Sequence, residues 1–176
     1  MGLPPMPAIY VCSLAKLEAT VFQSEASHVA TLITDGSAVP RPERVRAENH
    51  LILSFNDIST PMEGMTPPGE AHIDQFLGFV KDWNRAAPLV VHCWAGVSRS
   101  TAGAMIALCT LRPDLDEDDI AGRIRAGSPE ATPNSRMIAI ADKQLERDGR
   151  LVRAAERIGR GRVAFEGSVF SLTVDG

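Results

Sequence analysis

The chain has no surplus of positive charge: eighteen Lys and Arg stand against twenty-two Asp and Glu, a net charge of -4. A broad electrostatic attraction for nucleic acid or an anionic membrane surface is thereby excluded, and any anion has to be held locally. No apolar run approaches the length of a membrane span, and Met1 to Pro7 lack the basic and apolar regions of a signal peptide. Three cysteines, Cys12, Cys93 and Cys109, make an odd count at spacings that fit neither a zinc site nor a disulfide framework. Free thiols in a reducing compartment, the cytoplasm, are expected instead. Internal repeats, low-complexity tracts and linkers are missing too, so residues 1–176 read as one domain, large enough to build a core without disulfides or metals.

What is present is the composition of a soluble, folded protein, 44% hydrophobic and 23% charged. Apolar, β-rich runs at Ala8–Cys12, His28–Thr34, His50–Phe55 and Pro88–Cys93 are separated by stretches long enough for helices or crossover loops. The class predicted is α/β, with a central, mainly parallel sheet of four to five strands flanked by helices. Leu89, Val90 and Val91 are apolar without alternation, as a strand covered on both faces requires.

Pro67-Pro68-Gly69-Glu70 opens an amphipathic helix with Ile73, Phe76, Leu77 and Val80 at helical spacing. A mostly buried helix is predicted from Ser100 to Leu111, stopped by Pro113. Three more follow, at Asp116–Ala126, Asn134–Arg147 and about Arg150–Ile158, making the second half helix-rich; the acidic run Asp114–Asp119 reads as a helix N-terminus. The last segment, 160–176, reads as an extended tail, with a hairpin or edge strand between Val163 and Val174.

The chemistry is concentrated in Val90-Val91-His92-Cys93-Trp94-Ala95-Gly96-Val97-Ser98-Arg99-Ser100, a strand that ends in cysteine, a short glycine-containing loop, and a helix start. Backbone N–H groups of Trp94, Ala95, Gly96, Val97, Ser98 and Arg99 can line a cradle for an oxyanion such as phosphate or sulfate, with the helix dipole aimed at the same point. Gly96 permits the turn. A cysteine beside unpaired amides, a helix N-terminus and Arg99 is favoured as thiolate, the nucleophilic form. Arg99 can fork two hydrogen bonds onto phosphate oxygens, which lysine cannot copy. Ser100 can donate to the sulfur when it leaves, and His92 orients the loop through its imidazole rather than acting as a base.

His-Cys, two variable positions, Gly, two more, then Arg-Ser resembles the signature of the cysteine-based protein tyrosine phosphatases. The mid-chain position is similar to the compact dual-specificity branch, including bacterial tyrosine phosphatase-like proteins, and the likeness extends from about Ala8 to Arg147. It implies hydrolysis of a phosphotyrosine-like monoester, on a phosphorylated protein or a small molecule, through a phosphocysteine intermediate with no metal or cofactor. It also implies an aspartate on a mobile loop that protonates the leaving group. Asp57 fits, following the run Leu51–Phe55 at a strand's C-terminal end; Glu63, Glu70 and Asp74 are alternatives. The segment Asp57–Gly69 has the composition of a loop that closes over substrate. Thr132-Pro133-Asn134 resembles the Pro-Asn that supports the signature loop in dual-specificity members.

The loop contains no lysine, which the phosphoinositide-directed branch uses, so a lipid substrate is disfavoured. Two other readings share the cradle. One is a catalytically silent phospho-binding module, against which the intact Cys93, Arg99 and Asp57 set argues. The other is rhodanese-like sulfur or arsenate chemistry, whose loop usually lacks the His-Cys and Arg-Ser framing. Cys12 and Cys109 read as small core residues. His28, His50 and His72 read as structural or surface residues, and Arg41, Arg44 and Arg46 as a solvated loop cluster.

Overall fold

Five segments satisfy their backbone groups in a single sheet: β1 (Ala8–Ser13), β2 (His28–Ile33), β3 (His50–Ser54), β4 (Leu89–Cys93) and β5 (Phe170–Thr173), in the order β3-β2-β4-β1-β5. The computed structural model describes residues 6–176; Met1–Pro5, most of the stretch read above for a signal peptide, lie outside the described residues. β1 to β4 run parallel, and β5 joins β1 antiparallel. Every residue of β2 and β4 is buried, which explains their unalternating apolar sequence. β5 instead buries Phe170 and Leu172 and exposes Ser171 and Thr173, the pattern of an edge strand covered on one face.

Strand alternation sorts side chains into two cores. Leu89, Val91 and Cys93 of β4 join a large core, while Val90 joins a small one with Cys12, Val29 and the first helix, α1 (Leu17–Ser24). The other helices are α2 (Glu70–Asp82), α3 (Arg99–Leu111), α4 (Glu117–Gly127), α5 (Ser135–Gln144) and α6 (Arg150–Ile158). The large core draws on all five. α2 turns Ile73, Phe76, Leu77 and Val80 inward, the periodicity expected of it. α3 is buried continuously from Arg99 to Cys109, so it is the central helix under the sheet. No helix among the described residues is long and apolar enough to cross a membrane.

One sequence expectation needs correction, and two others gain detail. α5 stops at Gln144 rather than Arg147, because Glu146 takes a positive φ of 54° that a helix cannot continue through. Between Val163 and Val174, Phe170–Thr173 forms an edge strand and no hairpin; 163–169 is irregular, since its partners are loops rather than a strand. Within the acidic run, Glu117 is buried and pairs with Arg147 (3.2 Å) and Arg150 (3.3 Å), tying α4 to the α5–α6 connection. Asp116 does cap α4, accepting from the Asp118 amide. Buried Asp142 caps the start of α6, accepting from the amides of Gly149, Leu151 and Val152.

Candidate active site

β4 delivers Cys93 to the C-terminal edge of the parallel strands, and α3 begins only six residues later at Arg99. The five residues between are shaped by where their carbonyls go. Trp94 O accepts from the Leu14 amide (3.1 Å), Ala95 O from Gly167 (2.8 Å), Val97 O from Thr132 (3.0 Å) and Ser98 O from Asn134 (3.2 Å). A trans peptide points its N–H opposite to its C=O. Holding these four carbonyls outward therefore turns the amides of Ala95, Gly96, Ser98 and Arg99 inward, into a nest over Cys93. The Gly96 N–H lies 3.3 Å from Cys93 Sγ. Gly96 itself has φ +73°, and a Cβ there would stand 2.8 Å from the β1 backbone at Cys12 and Ser13, so another residue would push the loop off the sheet.

Cys93 is 3% exposed, and its sulfur lies 3.2 Å from Ser100 Oγ in the first turn of α3. Arg99 is buried beneath the loop. Its Nη1 donates to Phe55 O (2.8 Å) and Thr34 Oγ1 (3.2 Å), which fixes the guanidinium to the ends of β2 and β3, while its buried Nε has no protein partner.

Asp57 lies three residues past the end of β3, and Ser98 Oγ (2.7 Å) and Asn134 Nδ2 (2.8 Å) both donate to its Oδ1. Asn134 also donates to Ile58 O (3.3 Å), and its Oδ1 caps α5 through the Met137 amide. One buried residue thus joins three parts: its side chain ties the aspartate loop to α5, and its backbone amide bonds to the signature loop. Glu63, Glu70 and Asp74 are exposed, and none of the three carboxylates bonds to the signature loop. Trp94 is 64% exposed at the rim.

His92 is fully buried, and burial pushes its imidazole from 6.5 down to about 4, so it is neutral. Its Nδ1 lies 3.2 Å from Cys93 O, its Nε2 lies 2.7 Å from Thr31 Oγ1, and that hydroxyl lies 2.7 Å from His50 Nε2. A carbonyl can only accept, which makes Nδ1 the protonated nitrogen. The hydroxyl of Thr31 then donates to His92 and accepts from His50, so one directional chain runs from His50 to the Cys93 carbonyl. Sequence alone reads His50 as a structural or surface residue; its place in this chain depends on a strand pairing that puts Thr31 beside both His92 and Ile52.

The remaining singled-out residues lie elsewhere. Cys12 is on the opposite face of the sheet from Cys93, and burial drives its thiol to about 12; Cys109, inside α3, is raised by burial to about 11. Arg44 pairs with Glu25, Arg46 pairs with Glu48, and Arg41 donates to Val45 O. His72 accepts from the Gly69 amide at the start of α2, and His28 Nδ1 meets Ser27 Oγ.

A family model for PTP-like phytases, described by inositol hexakisphosphate, matches residues 58–111, which include the signature loop but begin just past Asp57. Human DUSP28 superposes with a TM-score of 0.60 at 18% identity, covering 79% of this chain and 92% of that one. PTP-2 phosphatase of Cydia pomonella gives 0.60 at 16%, covering 92% of both chains. A mouse putative dual specificity phosphatase complexed with zinc tungstate gives 0.61 at 16%, covering 88% and 93%. At these identities the likeness shows the fold. No curated protein sequence matches the chain.

Proposed function

We propose, from a fold and a family match that are those of a compact member of the cysteine-based tyrosine phosphatase superfamily, that this protein hydrolyses phosphotyrosine-like phosphomonoesters through a phosphocysteine intermediate. One observation carries the reading: four loop carbonyls are held outward, so inward amides converge over Cys93 while Asp57 is bonded to the same loop.

The Cys93 thiolate attacks phosphorus in line, forming the S–P bond as the ester P–O bond breaks. The inward amides and the free face of Arg99, including its unpartnered Nε, hold the equatorial oxygens. Asp57, with Oδ1 held by Ser98 and Asn134, gives its proton to the departing phenolate from Oδ2. In the second half the Asp57 carboxylate takes a proton from water, water oxygen bonds to phosphorus, and the S–P bond breaks with Ser100 donating to the leaving sulfur. His50, Thr31 and His92 hold the Cys93 carbonyl in place.

The matched family's description names inositol hexakisphosphate. The loop here carries no lysine, and Asp57 and Glu166 flank it, so a monoester of lower charge is the better fit. Three free, buried thiols support a reducing, cytoplasmic setting.

The test is turnover of a small aryl phosphate, phosphotyrosine, phosphoserine and inositol hexakisphosphate, with sulfur transfer from thiosulfate as donor to cyanide as acceptor run as the control. Cys93→Ser should abolish hydrolysis, and Asp57→Asn should lower kcat by about two to four orders of magnitude, most for poor leaving groups. Full turnover by Cys93→Ser, phosphate binding without turnover by the wild type, or sulfur transfer faster than hydrolysis would each overturn the reading.

A further inference from the structure

The tail between α6 and β5 is fastened on both sides of a displayed aromatic residue. Before it, the Gly161 amide bonds to Thr132 Oγ1 (3.0 Å) and the Arg162 amide to Pro129 O (2.9 Å). After it, Glu166 Oε1 accepts from buried Ser13 Oγ (2.5 Å) with Lys16 at 3.8 Å, the Gly167 amide donates to Ala95 O, and Ser168 Oγ donates to Glu130 (3.0 Å). Gly167 is a close approach: a Cβ would lie 2.5 Å from Gly96 O, inside the signature loop. Phe165, between these anchors, is fully exposed. It shares with Trp94 a groove of about 420 Å³ whose other lining residues are Ser13, Leu14, Ala15 and Glu166.

Phe165 and Trp94 together wall this groove with exposed aromatic surface on a backbone pinned at both ends, the kind of patch that marks a ligand-binding groove. The groove adjoins the candidate catalytic loop: its Trp94 wall is the residue after Cys93, and its tail wall is bonded to Ala95. Its single carboxylate, Glu166, is engaged by Ser13 and Lys16, leaving an apolar channel with no unpaired cation among its lining residues.

We propose that this groove is a specificity subsite that takes the apolar side chain of a peptide residue next to the phosphorylated tyrosine, with Phe165 and Trp94 as its walls. The inference rests on the phosphatase reading and narrows its substrate to a peptide with an apolar neighbour. An acidic neighbour would bring its charge towards Glu166, with the nearby cation, Lys16, already engaged by that carboxylate, and would lose the apolar contact.

The test uses phosphotyrosine peptides identical except for Leu, Ala or Glu flanking the phosphorylated residue, alongside a small aryl phosphate. Wild type should favour Leu over Glu in kcat/KM by about tenfold or more, the worth of burying one aliphatic side chain. Phe165→Ala, at an exposed position, should bring that ratio close to one, and urea unfolding checks that the fold is intact. If wild type hydrolyses the aryl phosphate but treats the peptides alike, or if Phe165→Ala leaves the ratio unchanged, the subsite is refuted while the phosphatase reading stands. If wild type hydrolyses none of these substrates, both fall. A concentration-dependent dimer in sedimentation, dissolved by Phe165→Ala with the ratio unmoved, would assign the groove to a second copy of the chain and overturn the proposal.

Discussion

His92 makes the fold sensitive to acid in a calculable way. Burial lowers its imidazole from an ordinary 6.5 to about 4. Between those values the unfolded chain binds a proton that the folded chain refuses, so the stability His92 contributes is complete above about pH 6.5 and is lost as pH falls towards 4. At about 1.4 kcal/mol per unit the whole effect is on the order of 3 kcal/mol, of which about 2 kcal/mol is gone by pH 5. Protonation would also end the chain from His50, because Nε2 could no longer accept from Thr31. The measurement is urea unfolding of wild type and His92→Asn at about pH 7.5 and 5. His28 and His72, also lowered by burial, are common to both proteins and cancel in the comparison; His50, lowered too but coupled to His92 through Thr31, does not, and the same pair in a His50→Asn background isolates His92. The variant should be less stable at neutral pH, yet its loss on acidification should be smaller than the wild type's by about 2 kcal/mol. Equal acid slopes in the two proteins would refute the argument that His92 is held neutral by the fold.

Two further outcomes are expected. Iodoacetamide near neutral pH should label Cys93 and be slowed by phosphate, while Cys12 and Cys109, driven by burial to about 12 and 11, stay unlabelled until the chain unfolds; peptide mapping decides this. Glu117→Gln should destabilise the fold by about 3–5 kcal/mol by stranding the buried Arg147, whereas the double change Glu117→Gln with Arg147→Met should recover a large part of that loss; urea midpoints that show the single change milder than the double would contradict it.

The sequence disclosed those features whose physics is local. β2 and β4 announced themselves because burial on both faces demands unbroken apolar residues, and α2 because its buried face repeats at helical spacing. The Cys93 loop was readable because a tight strand–loop–helix turn with inward amides fixes glycine, arginine and cysteine within a few positions. α1 was not named, since Leu17, Thr20 and Val21 bury a narrow stripe beside exposed Phe22. Val163 and Phe165 imitated a strand because apolar residues look alike whether they fill a core or face water. Thr31, His50 and His92 are 19 and 61 positions apart along the chain, and only parallel pairing makes neighbours of them. Asn134 was legible as a support for the loop, but its bond to Asp57 spans 77 positions and needed the fold.

The Gly167–Ala95 bond and the β5–β1 pairing give the molecule a late-closing topology. A nascent chain that has already produced Cys93, Arg99 and every helix still lacks the clasp on the loop's outer rim until residues 167–173 arrive to join a strand made near the start. Contacts of such long sequence separation form slowly. Refolding should therefore pass through a stage in which secondary structure is in place but the sulfur's reactivity towards alkylating reagents has not yet reached its native value, and a chain cut after α6 should keep its helices while losing grip on anions.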